Sequence, residues 1–193
     1  MYLLRTNLVG QPTGQGGFLT PAECEAVITL GEANLKVAKT EDHSVHENIR
    51  RSEISWLDYT AEPAWLFDRI RACVNDVNAN WFGYHLIGIE AIQFTKYAAR
   101  KGAQPDFYSS HADTTVLPGG TVRKLSFTVQ LSADDAYDGG EVLLYSTISD
   151  SMTLIRAQGS ISFFPAYTIH EVVPVLSGTR YSLVGWVYGP AFV

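Results

Sequence analysis

Beyond Trp81 the apolar residues of this 193-residue chain recur at every second position, and turn signals break that pattern at short intervals. Leu125, Phe127, Val129 and Leu131 alternate with Lys124, Ser126, Thr128 and Gln130. A period of two belongs to extended backbone, whose side chains point alternately to its two faces, so this segment reads as a half-buried strand. Residues 89–97, 141–145, 152–156, 160–164, 170–173 and 179–188 read the same way. Pro118-Gly119-Gly120, Asp138-Gly139-Gly140, Gln158-Gly159 and Ser177-Gly178 separate them, and the glycines after Asp138 are expected at positive φ. So many short strands bury their apolar faces only by closing into a sandwich or barrel. The predicted fold is mainly β (α+β), of jelly-roll type.

The first half reads differently. Thr20 can cap a helix, Pro21 suits its first position and Glu23 completes a capping box; Cys24, Val27, Ile28 and Gly31 follow at helical spacing. A second helix is expected from about Pro63, with Leu66, Ile70, Cys73, Val74, Val77 and Trp81 as its apolar stripe. Two helices would support one sheet from outside. The expectation is one domain over residues 1–193, with helical support and first strands in 1–88 and the β core in 89–193.

Bulk properties exclude several classes. With 46% hydrophobic and 18% charged residues, this is a globular sequence and not a disordered one. The net charge of −6 makes nucleic acid an unlikely partner, because such binding needs a basic face. No apolar run reaches the ~20 residues of a membrane span. Met1-Tyr2-Leu3-Leu4-Arg5 has no signal-peptide core, so a cytoplasmic protein is expected. Cys24 and Cys73 fit no zinc spacing and read as small buried hydrophobes.

The chemistry lies in a few polar residues of the C-terminal half. His111 and Asp113 are spaced to share one face of a strand, and His170 lies 57 positions later on another strand. Two imidazoles and one carboxylate make a facial ligand set for an octahedral ferrous ion, leaving three positions open. Zinc hydrolysis is the competing chemistry for these residue types. Arg180, on an otherwise apolar strand, and Ser182 two residues on would share a face. A buried guanidinium needs an anion, either an internal acid or a bound dicarboxylate. An open iron site beside an anion anchor suggests an oxygenase consuming a 2-oxo acid. The polar segment 39–51, with His43 and His46, is an exposed loop or a lid over a substrate.

Further motifs carry a family resemblance: the Asp138-Gly139-Gly140-Glu141 turn, Gly159 with Ser162-Phe163-Phe164-Pro165, His170-Glu171-Val172-Val173-Pro174-Val175, and Gly178-Thr179-Arg180-Tyr181-Ser182 with Trp186. With His111-Ala112-Asp113, these resemble the non-haem iron and 2-oxoglutarate-dependent dioxygenases, specifically the prolyl 4-hydroxylase-type branch with its small bacterial and phage members. The match runs from Ile89 to the C-terminus; Arg51-Ser52 with Trp56 is a fainter upstream motif. The resemblance implies a double-stranded β-helix. It implies that His111, Asp113 and His170 hold Fe(II), and that Arg180 and Ser182 hold the C5 carboxylate of 2-oxoglutarate. Either Tyr97 or Tyr108 would contact that co-substrate, and Gln130 would stand beside the arginine. Arg51, Trp56 and Trp186 would face the substrate, in a groove to which Arg50, Glu53 and the loop around His43 also contribute. The implied activity is hydroxylation by molecular oxygen of an unactivated C–H bond, first of all in a prolyl residue of a peptide or protein, with release of succinate and CO2 and with ascorbate as a supporting reductant. A free amino acid or other small-molecule substrate, or a non-catalytic jelly-roll binding module, are the alternatives.

Overall fold

A computed structural model describes residues 11–39, 46–60, 62–147 and 150–191. Its elements run β1 (Thr13–Gln15), α1 (Pro21–Glu32), β2 (Lys36–Val37), β3 (Arg50–Arg51), β4 (Glu53–Leu57) and α2 (Ala64–Val77) in the first half. Then follow β5 (Gly88–Ile89), β6 (Ile92–Ala98), β7 (Phe107–His111), β8 (Thr121–Gln130), β9 (Tyr137–Gly139), β10 (Val142–Thr147), β11 (Asp150–Thr153), β12 (Ile161–Pro165), β13 (Ile169–Val172) and β14 (Val175–Pro190). The larger sheet has the order β1-β12-β8-β14-β6-β4-β2, and the smaller β11-β10-β13-β7-β3. Every pairing is antiparallel. Strand order jumps across the chain as a jelly roll requires, and the two sheets form the expected double-stranded β-helix. Among the described residues no helix is long and apolar enough to cross a membrane. The opening residues and His43 lie outside the described residues.

The alternation in β8 and β14 creates two interiors rather than one. Leu125, Phe127, Val129, Leu183 and Val187 pack against Cys24 and Val27 of α1 and Leu66, Ile70, Val74 and Val77 of α2, in one core. Each such large side chain contributes roughly 1.5–3 kcal/mol by leaving water. The opposite face was expected to meet solvent, yet Ser126 and Gln130 are buried too. They face the smaller sheet, and the strand is buried on both sides. The space between the sheets is the polar interior where the site lies.

The helices follow their local signals. Thr20 Oγ1 accepts from the Glu23 amide at 3.3 Å while Glu23 Oε2 accepts from the Thr20 amide at 2.8 Å. Arg69 of α2 donates to both Glu23 oxygens, at 2.9 and 2.7 Å, tying the second helix to the start of the first. This holds the Glu23 carboxyl down at about 2. The α2 stripe departs from expectation at its end. A π-helical turn over Asn78–Phe82 adds a residue to the final turn, so Phe82 takes the buried place and Trp81 is exposed.

Gly31 packs directly under Phe94 of β6. A Cβ there would fall 2.2 Å from the Phe94 ring. In an open helix Gly→Ala stabilises by about 1 kcal/mol. Gly31→Ala should instead destabilise by about 1–3 kcal/mol through overpacking, as a lowered urea midpoint at constant slope. The Glu23 contribution has a definite pH sign. Its carboxyl is more acidic folded than unfolded, so the contribution is complete above 4.5 and disappears as pH falls through about 2. Denaturant titrations of Glu23→Gln across that window should lose this part of the acid slope; an unchanged slope would disconnect the pair from acid stability.

Candidate metal centre

β13 and β7 pair so that His170 stands directly opposite His111. A bulge in β7 between Tyr108 and His111 turns both of their rings inward, where they stack with centroids 3.7 Å apart. β7 ends at His111, so Asp113 does not continue the strand as its spacing suggested. Its amide donates instead to the Ala166 carbonyl at 2.9 Å, and its side chain returns toward the two histidines. One ligand atom from each of His111, Asp113 and His170 lies within 4.8 Å of the other two.

The hydrogen bonds fix the imidazoles in one sense. Nδ1 of His111 lies 2.8 Å from the Ser109 carbonyl, and Nδ1 of His170 lies 2.9 Å from the Thr168 carbonyl. A carbonyl only accepts, so each Nδ1 carries a proton and each Nε2 faces Asp113. The Nε2 atoms are 3.7 and 3.6 Å from the Asp113 oxygens, too far for hydrogen bonds. Ser126 Oγ donates to Asp113 Oδ2 at 2.7 Å and holds the carboxylate toward the ring pair. Burial, then the adjacent His170, push the His111 imidazole down to about 4, so it is neutral at pH 7. Two imidazoles and a carboxylate that do not bond one another are a donor set for a cation. Cis ligands about 2.1 Å from an ion sit ~3 Å apart, and small side-chain rotations close that difference.

The floor beside this cluster comes from β14 and β8. Arg180, Ser182, Val184 and Trp186 line one cavity of about 1480 Å³ together with Thr128 and the His–Asp–His group. Arg180 is 3% exposed, and among the described residues it has no hydrogen bond and no carboxylate partner. Tyr97 is its direct neighbour across β6, with its ring centroid 5.8 Å from the guanidinium carbon. Tyr108 stands by His111 instead. The Ser182 and Thr128 hydroxyls and the Trp186 indole N–H are buried without partners among the described residues. Thr128 escaped the sequence reading because alternation placed it on a solvent face.

Several expected residues are turned elsewhere. Gln130 does not line the large cavity; it donates to the Tyr137 hydroxyl at 2.8 Å and lines a small neighbouring pocket together with Arg180. Arg51 binds Glu47 and the Gln104 carbonyl and also points away. In β3 it is Arg50, opposite Tyr108, that faces the cavity. Trp56, half-exposed, and Trp186, buried, line the same cavity with ring centroids 6.1 Å apart. Arg156, unnoticed in the sequence, clamps the turn after β9: it donates to the carbonyls of Asp134, Tyr137 and Gly139 and pairs with Glu141. Gly139 and Gly140 there have φ of 72° and 68°, and a Cβ on Gly140 would lie 3.1 Å from Arg180 Cδ. The turn therefore fixes how the Arg180 stem lies.

With this geometry in hand, the comparisons are direct. The model of the 2OG-Fe(II) oxygenase superfamily matches residues 92–188, every strand from β6 almost to the end of β14. The chain belongs to this superfamily. Fe(II) and 2-oxoglutarate are accordingly its cofactors. A PKHD-type hydroxylase of Synechococcus sp. (strain CC9605) is 39% identical over 80 residues, covering 42% of this chain and 36% of that protein. The match thus spans little more than a third of that curated relative. A Pseudomonas putida prolyl-4-hydroxylase superposes with a TM-score of 0.73 at 19% identity, over 94% of each chain. A Trichoplax adhaerens prolyl hydroxylase in complex with a hypoxia inducible factor peptide gives 0.72 at 16%, over 92% of this chain and 83% of that one. At these identities the structural likeness is one of fold.

For this oxygenase, divalent-metal binding should vanish on replacing any of His111, Asp113 or His170 by Ala. Ser126→Ala keeps all three donors but frees the carboxylate, and should weaken binding about 10- to 100-fold. Calorimetric titration with Mn(II) or anaerobic Fe(II) reads both. Undiminished affinity in His170→Ala would remove that residue from the ligand set.

Proposed function

We propose that this chain is a 2-oxoglutarate-dependent dioxygenase that hydroxylates an unactivated C–H bond, with a prolyl residue of a peptide or protein as its substrate. The observation that carries the reading is Arg180: a buried guanidinium with no acid partner among the described residues, opening into the cavity that holds His111, Asp113 and His170. An unpaired buried charge is costly, and a carboxylate of a bound diacid relieves it. The orphaned Ser182 and Thr128 hydroxyls on the same floor offer that carboxylate further hydrogen bonds. The prolyl substrate is supported by the fold shared with prolyl hydroxylases, one of them peptide-bound, and by a cavity larger than a small-molecule site needs.

His111, Asp113 and His170 would hold Fe(II), and Arg180 with Ser182 the far carboxylate of 2-oxoglutarate. When bound, the iron couples reduction of dioxygen to decarboxylation of 2-oxoglutarate, giving succinate, CO2 and one hydroxylated substrate carbon. The protein's part is geometric. Nδ1 bonds to main-chain carbonyls would keep each Nε2 aimed at the ion, and the Ser126 hydroxyl would keep the Asp113 carboxylate oriented. Tyr97, buried beside the guanidinium, would help to wall it from bulk water. Trp56 and Trp186 on the cavity wall would present aromatic surface to the substrate. No side chain needs to act as an acid or base.

Arg180→Ala should weaken 2-oxoglutarate binding about 10- to 100-fold, as follows from ~1.5–3 kcal/mol for a charged hydrogen bond. Arg180→Lys keeps the charge without the fork and should fall between. Calorimetry with the Mn(II)-loaded protein measures this, and succinate formation with Fe(II) and ascorbate tests turnover. Unchanged affinity in Arg180→Ala, or no 2-oxoglutarate binding by the unmodified protein, rejects the reading.

A further inference from the structure

Arg50 is a second guanidinium in the same cavity, and neither the iron nor 2-oxoglutarate accounts for it. It is 9% exposed. Its Nε donates to Ser52 Oγ at 3.0 Å and its Nη2 to Gln93 Oε1 at 2.8 Å. Its plane lies 4.6 Å from the Tyr108 centroid, and Tyr108 stacks on His111 from its other side. All these partners are neutral. Among the described residues only two of its five N–H groups are used, and it lines the cavity. Among the described residues no carboxylate pairs with it: Glu47, Glu90 and Asp106 are taken by Arg51, Arg123 and Arg100.

The charges of the filled site sharpen the point. A divalent ion, the Asp113 carboxylate, the Arg180 guanidinium and the 2-oxoglutarate dianion cancel. Arg50 is left over as a buried cation, one ring thickness from a metal ligand. A group in that position is compensated by whatever enters last.

We propose that the substrate brings a carboxylate to Arg50, placed within about one residue of the carbon to be oxidised. This rests on the oxygenase reading above and narrows its substrate class to an acidic one. The carboxylate has two sources, an Asp or Glu side chain flanking the reactive residue or the C-terminus of a peptide. Arg50 acts on the substrate and leaves the binding of metal and co-substrate alone. The unpartnered Trp186 indole N–H, also on the cavity wall, supplies a further donor for the same ligand.

The test uses blocked pentapeptides with a central proline that differ only by Asp or Asn, or Glu or Gln, on either side of it. A second set ends in proline as the free acid or the amide. Binding is titrated calorimetrically to the full chain loaded with Mn(II) and 2-oxoglutarate without oxygen, and succinate formation is followed separately with Fe(II) in air. The acidic member of at least one pair should bind about 10-fold tighter, and which pair does so identifies the source. That preference should shrink with added salt and disappear in Arg50→Gln, while the affinity of Arg50→Gln for Mn(II) and 2-oxoglutarate stays within about 2-fold. Arg50→Lys should retain part of it, which a purely structural role for Arg50 would not produce. Equal binding of acid and amide in every pair overturns the inference, as does no binding by any peptide. Weakened 2-oxoglutarate binding in Arg50→Gln overturns it too, because Arg50 would then belong to the co-substrate. An acid preference without any succinate in air leaves Arg50 as assigned and rejects the oxygenase reading.

Discussion

The antiparallel register of β13 on β7 places two imidazoles face to face across a strand pair, and everything else about the site depends on it. A shift of one residue would send His170 to the outer face of the smaller sheet, because side chains alternate. The neighbouring bulge makes the register workable. By adding one residue to β7 it lets Tyr108 and His111 both turn inward, so one ring supports the other. The Nδ1 bonds go to main-chain carbonyls two residues back, Ser109 within β7 and Thr168 just before β13. Ring orientation is therefore set by main chain within two residues, and no mobile side chain intervenes between the fold and the donor atoms.

The larger sheet answers a different demand, which is to hold polar groups away from water without collapsing. β8 and β14 present an apolar face to the helices and a hydroxyl-, amide- and guanidinium-bearing face to the smaller sheet. Buried polar groups are tolerated when paired. Most here are: Ser126 to Asp113, Gln130 to Tyr137, Arg50 to Ser52 and Gln93. The exceptions, Thr128, Ser182, Trp186 and the Arg180 guanidinium, all line one cavity. Unpaired groups scattered through a core would be packing faults. Gathered on one floor, they describe the missing half of an interaction, and their mixture of one cation with hydroxyl donors selects an anion.

Much of this was legible in the sequence, for identifiable reasons. The capping box at Thr20 and the strand from Thr179 are local patterns, and local patterns survive folding. The His111, Asp113 and His170 cluster was legible because two histidines and an aspartate serve no packing purpose in a β core. What failed depended on which face a residue occupies. Alternation in β8 correctly separated two faces, yet it could not say that the polar one meets a second sheet, so Thr128 was passed over. Arg51 was favoured over Arg50 because a two-residue strand carries no periodicity to choose between them; the pairing of Arg50 with Tyr108 decides it. Trp81 continued a 3.6-residue stripe that a π-helical turn then displaced onto Phe82. Arg156 had no sequence signal, because its partners are main-chain carbonyls of a turn it meets only in space.

The two-faced strands also couple stability to the site. Tyr181 and Leu183 point to the helices while Arg180 and Ser182, their immediate neighbours, point to the cavity. Phe94 packs over Gly31 on one side of β6, and Gln93, its neighbour, accepts from Arg50 on the other. A volume change in the helical core cannot be absorbed by side-chain rotation alone at such density, so it moves backbone. Backbone movement in β6 or β14 then displaces a guanidinium. Distant core substitutions in this chain are for that reason not independent of ligand binding, whereas changes on the outer face of the smaller sheet, beyond Glu171, reach no group of the cavity floor and add independently.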